Sequence, residues 1–202
     1  GGFYEVLVHA RERAAAAGLG DPDRTDVLTS PEARACFSRF RIVAGSTGNL
    51  GYGIGLIGRA LNFQVEIHMS ADARQWKKDR LRALGARVVE HSGDYGEAVA
   101  GARQSARQDA SAYFVDDEDS LRLFMGYAAA AFELEAQLAA IGIRPSAQAP
   151  LVVYLPCGVG GAPGGIAFGL KHLFGDAVMP VLVEPVASPC MLVQCCAGPG
   201  RR

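Results

Sequence analysis

Six short runs rich in β-branched residues alternate along this chain with stretches of helical periodicity, and that alternation limits what it can fold into more than any other feature. The runs are Arg41-Ile-Val-Ala-Gly45, Gln64-Val-Glu-Ile-His-Met69, Ala86-Arg-Val-Val-Glu90, Ala112-Tyr-Phe-Val115, Leu151-Val-Val-Tyr-Leu155 and Val178-Met-Pro-Val-Leu-Val183. Helix-like segments lie near 49–61, 73–84, 95–108, 119–141 and 164–174, each long enough to carry the chain back along a sheet. Strand, crossover helix and strand make the parallel unit, whose strands read as near-continuous apolar runs because helices cover them. The expected fold class is therefore α/β, built on open parallel sheet.

Two segments interrupt the alternation. The polar, proline-bearing stretch Gly142-Ile-Arg-Pro-Ser-Ala-Gln-Ala-Pro150 separates the first four strands from the last two and is expected to divide two lobes. Residues 18–31 read as a loop ending in Ser30-Pro31-Glu32, which fits a helix N-cap with proline at the first helical position. Upstream, the amphipathic stretch 3–17 follows Gly1-Gly2 without an initiator methionine, as in a chain cut from a longer one.

Composition excludes some partners. Twenty Lys and Arg against 21 Asp and Glu leave a net charge of -1, with the arginines scattered among acids, so no basic stripe suits a nucleic acid. Glycine or charge breaks every apolar run before the ~18 residues a membrane span needs, and no basic-then-apolar leader opens the chain, so cytoplasmic residence is expected. Five cysteines without a Cys-x-x-Cys pair predict free, mostly buried thiols. A small-molecule partner fits this balance; oligomeric state is not legible.

Two loops carry the candidate chemistry. After the first strand comes Gly45-Ser-Thr-Gly-Asn-Leu-Gly51, a turn of small and hydroxylated residues opening a helix. Its backbone N–H groups and the Ser46 and Thr47 hydroxyls suit a carboxylate or phosphate, reinforced by the helix dipole. After the fifth strand comes Pro156-Cys-Gly-Val-Gly-Gly-Ala-Pro-Gly-Gly165. Glycines at that density cost backbone entropy, a cost that makes sense where main chain wraps an anion. Carboxyl ends of parallel strands are where such sheets bind ligands. The run Gly53-Ile-Gly-Leu-Ile-Gly58 matches a dinucleotide fingerprint but lies inside a helix pattern, so its glycines are expected to serve packing, and no G-x-x-x-x-G-K-[ST] is present.

Taken together, Ser46-Thr-Gly-Asn-Leu-Gly51, His68-Met-Ser-Ala-Asp-Ala-Arg74 with Trp76-Lys-Lys78, Asp94-Tyr-Gly96, Val115-Asp-Asp-Glu-Asp-Ser120, Tyr154-Leu-Pro-Cys-Gly-Val-Gly-Gly161, Glu184-Pro185 and Ser188-Pro-Cys-Met191 closely resemble the D-serine ammonia-lyase (D-serine dehydratase) family. The resemblance runs from residue 1 to about residue 193; the tail from Gln194 does not match. It implies the tryptophan-synthase-β-like, fold-type II architecture of two open parallel-sheet lobes, with 41–141 as the small lobe and 1–40 and 142–202 as parts of an incomplete large one. It implies pyridoxal 5'-phosphate as cofactor and D-serine as substrate, deaminated to pyruvate and ammonia by β-elimination. By the same resemblance Ser46, Thr47, Gly48, Asn49 and Leu50 would hold the substrate carboxylate, with Asn49 also reaching the cofactor's ring hydroxyl. Gly158, Val159, Gly160, Gly161 and Ala162 would hold the cofactor phosphate, Ala162 standing where the family usually has glycine. The family's Schiff-base lysine lies just upstream of the residues matching Gly1-Gly2, so this chain is expected to be inactive alone.

The remaining lysines, Lys77, Lys78 and Lys171, read as solvated helix residues. Asp116 and Asp117 either orient the base or the substrate hydroxyl, or form acidic caps before the helix at Leu121. Glu184 is placed to help hold a monovalent cation, K+ or Na+, as related enzymes do. His68 reads as packed or hydrogen-bonded structure, Cys157 as a small core residue, and Trp76 as helix packing. Two alternatives stay open: an L-serine or L-threonine dehydratase of the same fold, which assays with both serine enantiomers would separate, and a truncated, non-catalytic chain that binds phosphate-bearing ligands.

Overall fold

A computed structural model describes residues 1–198, which form two compact units, Gly2–Asp116 and Asp117 onward with Gly1. In the first, strands β1 (Arg41–Gly45), β2 (Gln64–Ser70), β3 (Arg87–His91) and β4 (Ala112–Val115) make a parallel sheet in the order β3-β2-β1-β4. The connecting helices are α4 (Asn49–Ala60), α5 (Gln75–Ala83) and α6 (Tyr95–Arg107), preceded by α1 (Gly2–Ala16), α2 (Thr25–Leu28) and α3 (Pro31–Phe37). The chain winds outward from β1 to β3 and returns on the other side of β1, so the strand order reverses between β1 and β4. The loop after β1 therefore opens at the reversal point, where open parallel sheets bind ligands.

Strand periodicity sorts side chains to the two faces. Ile42, Val65 and Ile67 point to the α4 side, where a Cβ on Gly58 would stand 2.7 Å from Val65 and one on Gly55 2.8 Å from Leu81 of α5. Gly55 and Gly58 are thus packing glycines. Arg41, Glu66, His68 and Arg87 point the other way, toward α6, whose Ser105 donates to Glu66. Phe37 and Phe63 stack with centroids 4.7 Å apart and no exposed surface. The Ser30 cap is present, its hydroxyl accepting from Ala33 N at 3.1 Å.

The second unit holds α7 (Leu121–Ala128), α8 (Ala130–Ala140), β5 (Leu151–Pro156), α9 (Gly161–Phe174), β6 (Val178–Val183) and α10 (Cys190–Ala197). Strands β5 and β6 pair in parallel, and α9 covers one face through Ile166, Leu170 and Leu173 against Leu151, Val153 and Val178. Gly165 and Gly169 lie one helical turn apart on α9, where any side chain would run into the backbone of Phe124 and Ala128 in α7. Helix 119–141 of the sequence reading is two helices broken at Ala129, and α2 and α10 were not anticipated.

Contacts within the chain group 2–40 with the four-stranded sheet, since α1 packs on α4, and place α7 and α8 with the two-stranded one. The boundary in packing falls at 116/117, where the sequence reading has 40/41 and 141/142. All five cysteines are free, but only Cys36 and Cys157 are buried; Cys195 and Cys196 are exposed. Among the described residues no helix is long and apolar enough to cross a membrane.

Candidate active site

In the loop after β1, Ser46 turns inward. Its hydroxyl accepts from Gly48 N (3.3 Å) and Gly51 N (3.0 Å), and its own N–H donates to His68 O (2.9 Å). Ser46 therefore shapes the loop rather than presenting an open acceptor. Gly48 is the N-cap of α4 and offers no side-chain cap, so the first-turn amides of Asn49 and Leu50 have no capping side chain.

Beside this loop, at the carboxyl ends of β1, β2 and β3, opens a cavity of about 340 Å³ lined by Thr47, Ser70, Asp72, Lys77, Asp94 and Tyr95 among others. It joins three segments far apart in sequence, the 46–51, 68–74 and 94–96 motifs. Lys77 donates to Thr47 O at 3.2 Å, forming shared wall. None of these residues except Thr47 was singled out as a site residue from sequence; the unusual 68–74 run was the available signal.

The cavity wall is held from behind. Lys78, expected to be solvated, is 2% exposed, and its ammonium donates to Ala71 O and Glu90 Oε2, both at 2.6 Å. Helix α5 must lie flat on β3 for this, a tertiary fact invisible in the Trp76-Lys-Lys78 run. Trp76 is likewise corrected: it is 55% exposed, with Lys77 and Arg80 over its ring.

Further along β2, Glu66 is 2% exposed and accepts from Arg41 (2.8 Å), Arg87 (3.0 Å), Ser105 (2.6 Å) and His68 Nε2 (2.9 Å). Burial alone would raise its pKa, but hydrogen bonds from Ser105, His68 and Arg41 outweigh it and bring the carboxyl down to about 2. An ionised Glu66 requires His68 to carry its proton on Nε2. His68 Nδ1 must then accept, and His91 Nε2, 2.7 Å away, must donate. Burial pushes the His68 pKa down, consistent with a neutral ring fixed in one tautomer. His68 is the hydrogen-bonded structural residue the sequence suggests.

In the second unit, β5 runs into the glycine loop, with Cys157 N held by Val183 O at 2.8 Å. Gly160 caps α9 without a side chain, and the amides of Gly158, Val159 and Gly160 have no acceptor among the described residues. A Cβ on Gly158 would meet nothing within 4 Å, whereas one on Gly161 would stand 3.1 Å from Asp117 O. Asp117 thus lies beside this loop, while Asp116 pairs with Arg103 at 3.0 Å in the first unit. The helix at Leu121 is capped by Ser120, whose hydroxyl accepts from Leu123 N at 3.1 Å. Burial, with the charge of Asp117, pushes the Tyr127 phenol up to about 12. Burial also raises the Cys157 thiol, as befits a core residue.

Glu184 does not present a free carboxylate. Its Oε1 accepts from Met191 N at 2.7 Å and its Oε2 from Leu192 N at 2.9 Å, so it caps the first turn of α10. Each carboxylate oxygen is thus engaged by one main-chain donor. Among the described residues no cluster of three or more His, Cys, Asp or Glu is placed to hold a metal.

The fold is an open parallel α/β type with glycine-bearing loops at strand ends, and comparison with known proteins specifies its class. Residues 26–199 match the family described as pyridoxal-phosphate dependent enzymes, and the chain belongs to that family. A probable D-serine dehydratase of Chromobacterium violaceum is 58% identical over 98% of this chain, and one of Acinetobacter baylyi 53% over 96%. The chain spans 44% of the length of each. Diaminopropionate ammonia lyase of Escherichia coli superposes with a TM-score of 0.76 at 22% identity, covering 92% of this chain and 50% of that one. A fungal L-serine ammonia-lyase from Rhizomucor miehei superposes at 0.67 and 19%, covering 94% and 54%. These superpositions establish the fold-type II architecture.

The 158–162 loop fits the family's cofactor: open amides at an uncapped helix start, with space above Gly158, suit a phosphate. Ala162 leaves those backbone donors in place.

Proposed function

We propose that this chain supplies part of an enzyme that deaminates D-serine to pyruvate and ammonia with pyridoxal phosphate. The observation that carries the reading is the 58% identity, over nearly the whole chain, to probable D-serine dehydratases. The Escherichia coli lyase whose fold it shares has been crystallised in complex with D-serine. Bound pyridoxal phosphate supplies an electron sink for the carbanion left when the α-proton is removed. The chain's own residues bind and orient. Gly158, Val159, Gly160, Gly161 and Ala162 hold the phosphate through main-chain donors; Thr47, Gly48, Asn49 and Leu50 hold the substrate carboxylate, with Ser46 fixing the loop; Asn49 also meets the cofactor ring; Asp117 borders the phosphate loop. In the whole enzyme, 41–141 belong to the small lobe, and 1–40 and 142–202 to the large one. Catalysis takes place in the cytoplasm.

The test is pyridoxal phosphate binding, followed by 31P NMR and visible absorbance, with pyruvate measured from D- and L-serine. Gly158→Asp places a carboxylate in open space at the phosphate loop without disturbing packing. Like charges brought together cost several kcal/mol, so affinity should fall at least about tenfold while the far-ultraviolet spectrum is unchanged. Unaltered affinity would sink the phosphate assignment, and pyruvate from L-serine alone would sink the substrate.

A further inference from the structure

The cavity beside the 46–50 loop contains a group that no role above uses. Ser70, the last residue of β2, is 5% exposed and lines the cavity, and no hydrogen bond within the described residues engages its hydroxyl, which opens into that space. A hydroxyl that no protein group engages and that opens into a cavity is free to bond a group seated there. The walls around Ser70 are polar: Thr47, Asp72, Lys77 and Tyr95 face the same space, and Ala73 adds only a methyl. Of the acids, Asp94 already caps α6 through Glu97 N at 3.0 Å, which leaves Asp72.

The position of Ser70 is not left to the loop. The next residue, Ala71, donates its N–H to His91 O at 2.7 Å and accepts from the buried Lys78 ammonium at 2.6 Å. Ser70 pairs in register with His91, which is itself tied to β2 through the His68 ring. Anchoring from behind by buried, hydrogen-bonded groups is how a binding wall is held to a fixed geometry. Thr47 belongs both to the cavity and to the proposed carboxylate loop, so the two share a wall.

We propose that this cavity receives the side chain of a small α-amino acid, and that Ser70 reads a hydroxyl on it. This rests on the 46–50 loop holding the carboxylate, and it adds a residue that selects among amino acids. Short hydroxylated side chains gain the Ser70 hydrogen bond; the alanine side chain leaves Ser70 unpaired; larger aliphatic ones meet polar walls.

The experiment is an amide-resolved NMR titration of the 202-residue chain with D-serine and, separately, D-alanine, using the wild type, Ser70→Ala and Asp72→Asn. The wild type should prefer D-serine by about 3- to 10-fold, the worth of one neutral hydrogen bond. Ser70→Ala should abolish that preference and leave D-alanine affinity unchanged, with D-serine shifts confined in the wild type to residues 46–50, 70–74 and 94–95. A preference that survives Ser70→Ala in a chain with native peak dispersion overturns the assignment of Ser70 and leaves the carboxylate loop standing. If Ser70→Ala loses dispersion, shifts at 70–74 in Asp72→Asn decide the matter: their absence overturns the cavity. If neither amino acid moves any peak of the wild type, the carboxylate loop fails and this inference with it.

Discussion

The two sheets of this molecule are written in similar sequence and packed very differently. In β2 every residue after Gln64 is buried, and in β1 every residue after Arg41. In β5 and β6 the runs are equally apolar, but Val152, Tyr154, Met179 and Val183, which share one face by register, stand open, Tyr154 at 70% exposure. Strands of that composition are normally covered on both faces, and α9 packs on one of them, against Leu151, Val153 and Val178. The first sheet draws its stability from sealed packing plus an ionic seam under α6; the second rests on one apolar layer from α9, itself locked to α7 by the glycine crossing.

Three substitutions or conditions can break this contrast. The largest effect is expected at the seal. Phe63→Ala empties a site with no exposed surface against Phe37, which should cost about 3–5 kcal/mol in urea unfolding followed by hydrogen exchange. Protection lost across β1 to β4 would support the seal, and a change under about 1 kcal/mol would refute it. Next comes the interlock. Gly169→Ala forces a methyl into Ala128 O and should cost about 1–3 kcal/mol. Gly158→Ala, into open space on the same unit, should stay within about 0.5 kcal/mol. Equal effects would mean that both glycines serve the same purpose.

The smallest effect near neutrality is acid sensitivity of the first sheet. The folded pKa of His68 lies below its usual 6.5, so the unfolded chain binds the proton more readily and stability declines as pH falls below about 6.5. Glu66, held at about 2 against a usual 4.5, adds a second decline as pH falls from about 4.5 toward 2. Both shifts are depressions, so both act in the same direction. Trp76, the only tryptophan and part of the first unit, should report the transition, and Glu66→Gln should flatten its lower portion.

Much of the fold was legible beforehand, because its elements are set by local pattern. All six strands appear within one or two residues of their apolar runs, and the Ser30-Pro31 cap forms as its chemistry dictates. The two glycine-bearing strand-to-helix turns were legible too, each falling at the carboxyl end of a parallel strand. The fourth helical stretch, 119–141, concealed a break at Ala129, where neither proline nor glycine stands. The glycine run was legible only in part: Gly158 faces open space, but Gly165 serves the α7 crossing, and one-dimensional spacing cannot separate those uses.

What the sequence determined by itself was therefore local: which segments are strands, which helices, where the chain turns, and which turns expose main-chain donors. What only the tertiary structure decided was every role that depends on a neighbour from another segment. Lys78 is buried because β3 presents Glu90 and the β2 turn presents Ala71 O. Glu184 caps a helix because α10 folds back over it. Ser70 lines a cavity because β2 lies beside β3 with Ser70 opposite His91. Pairing register and helix docking are set by contacts between residues far apart in sequence, and periodicity within a segment carries no record of them.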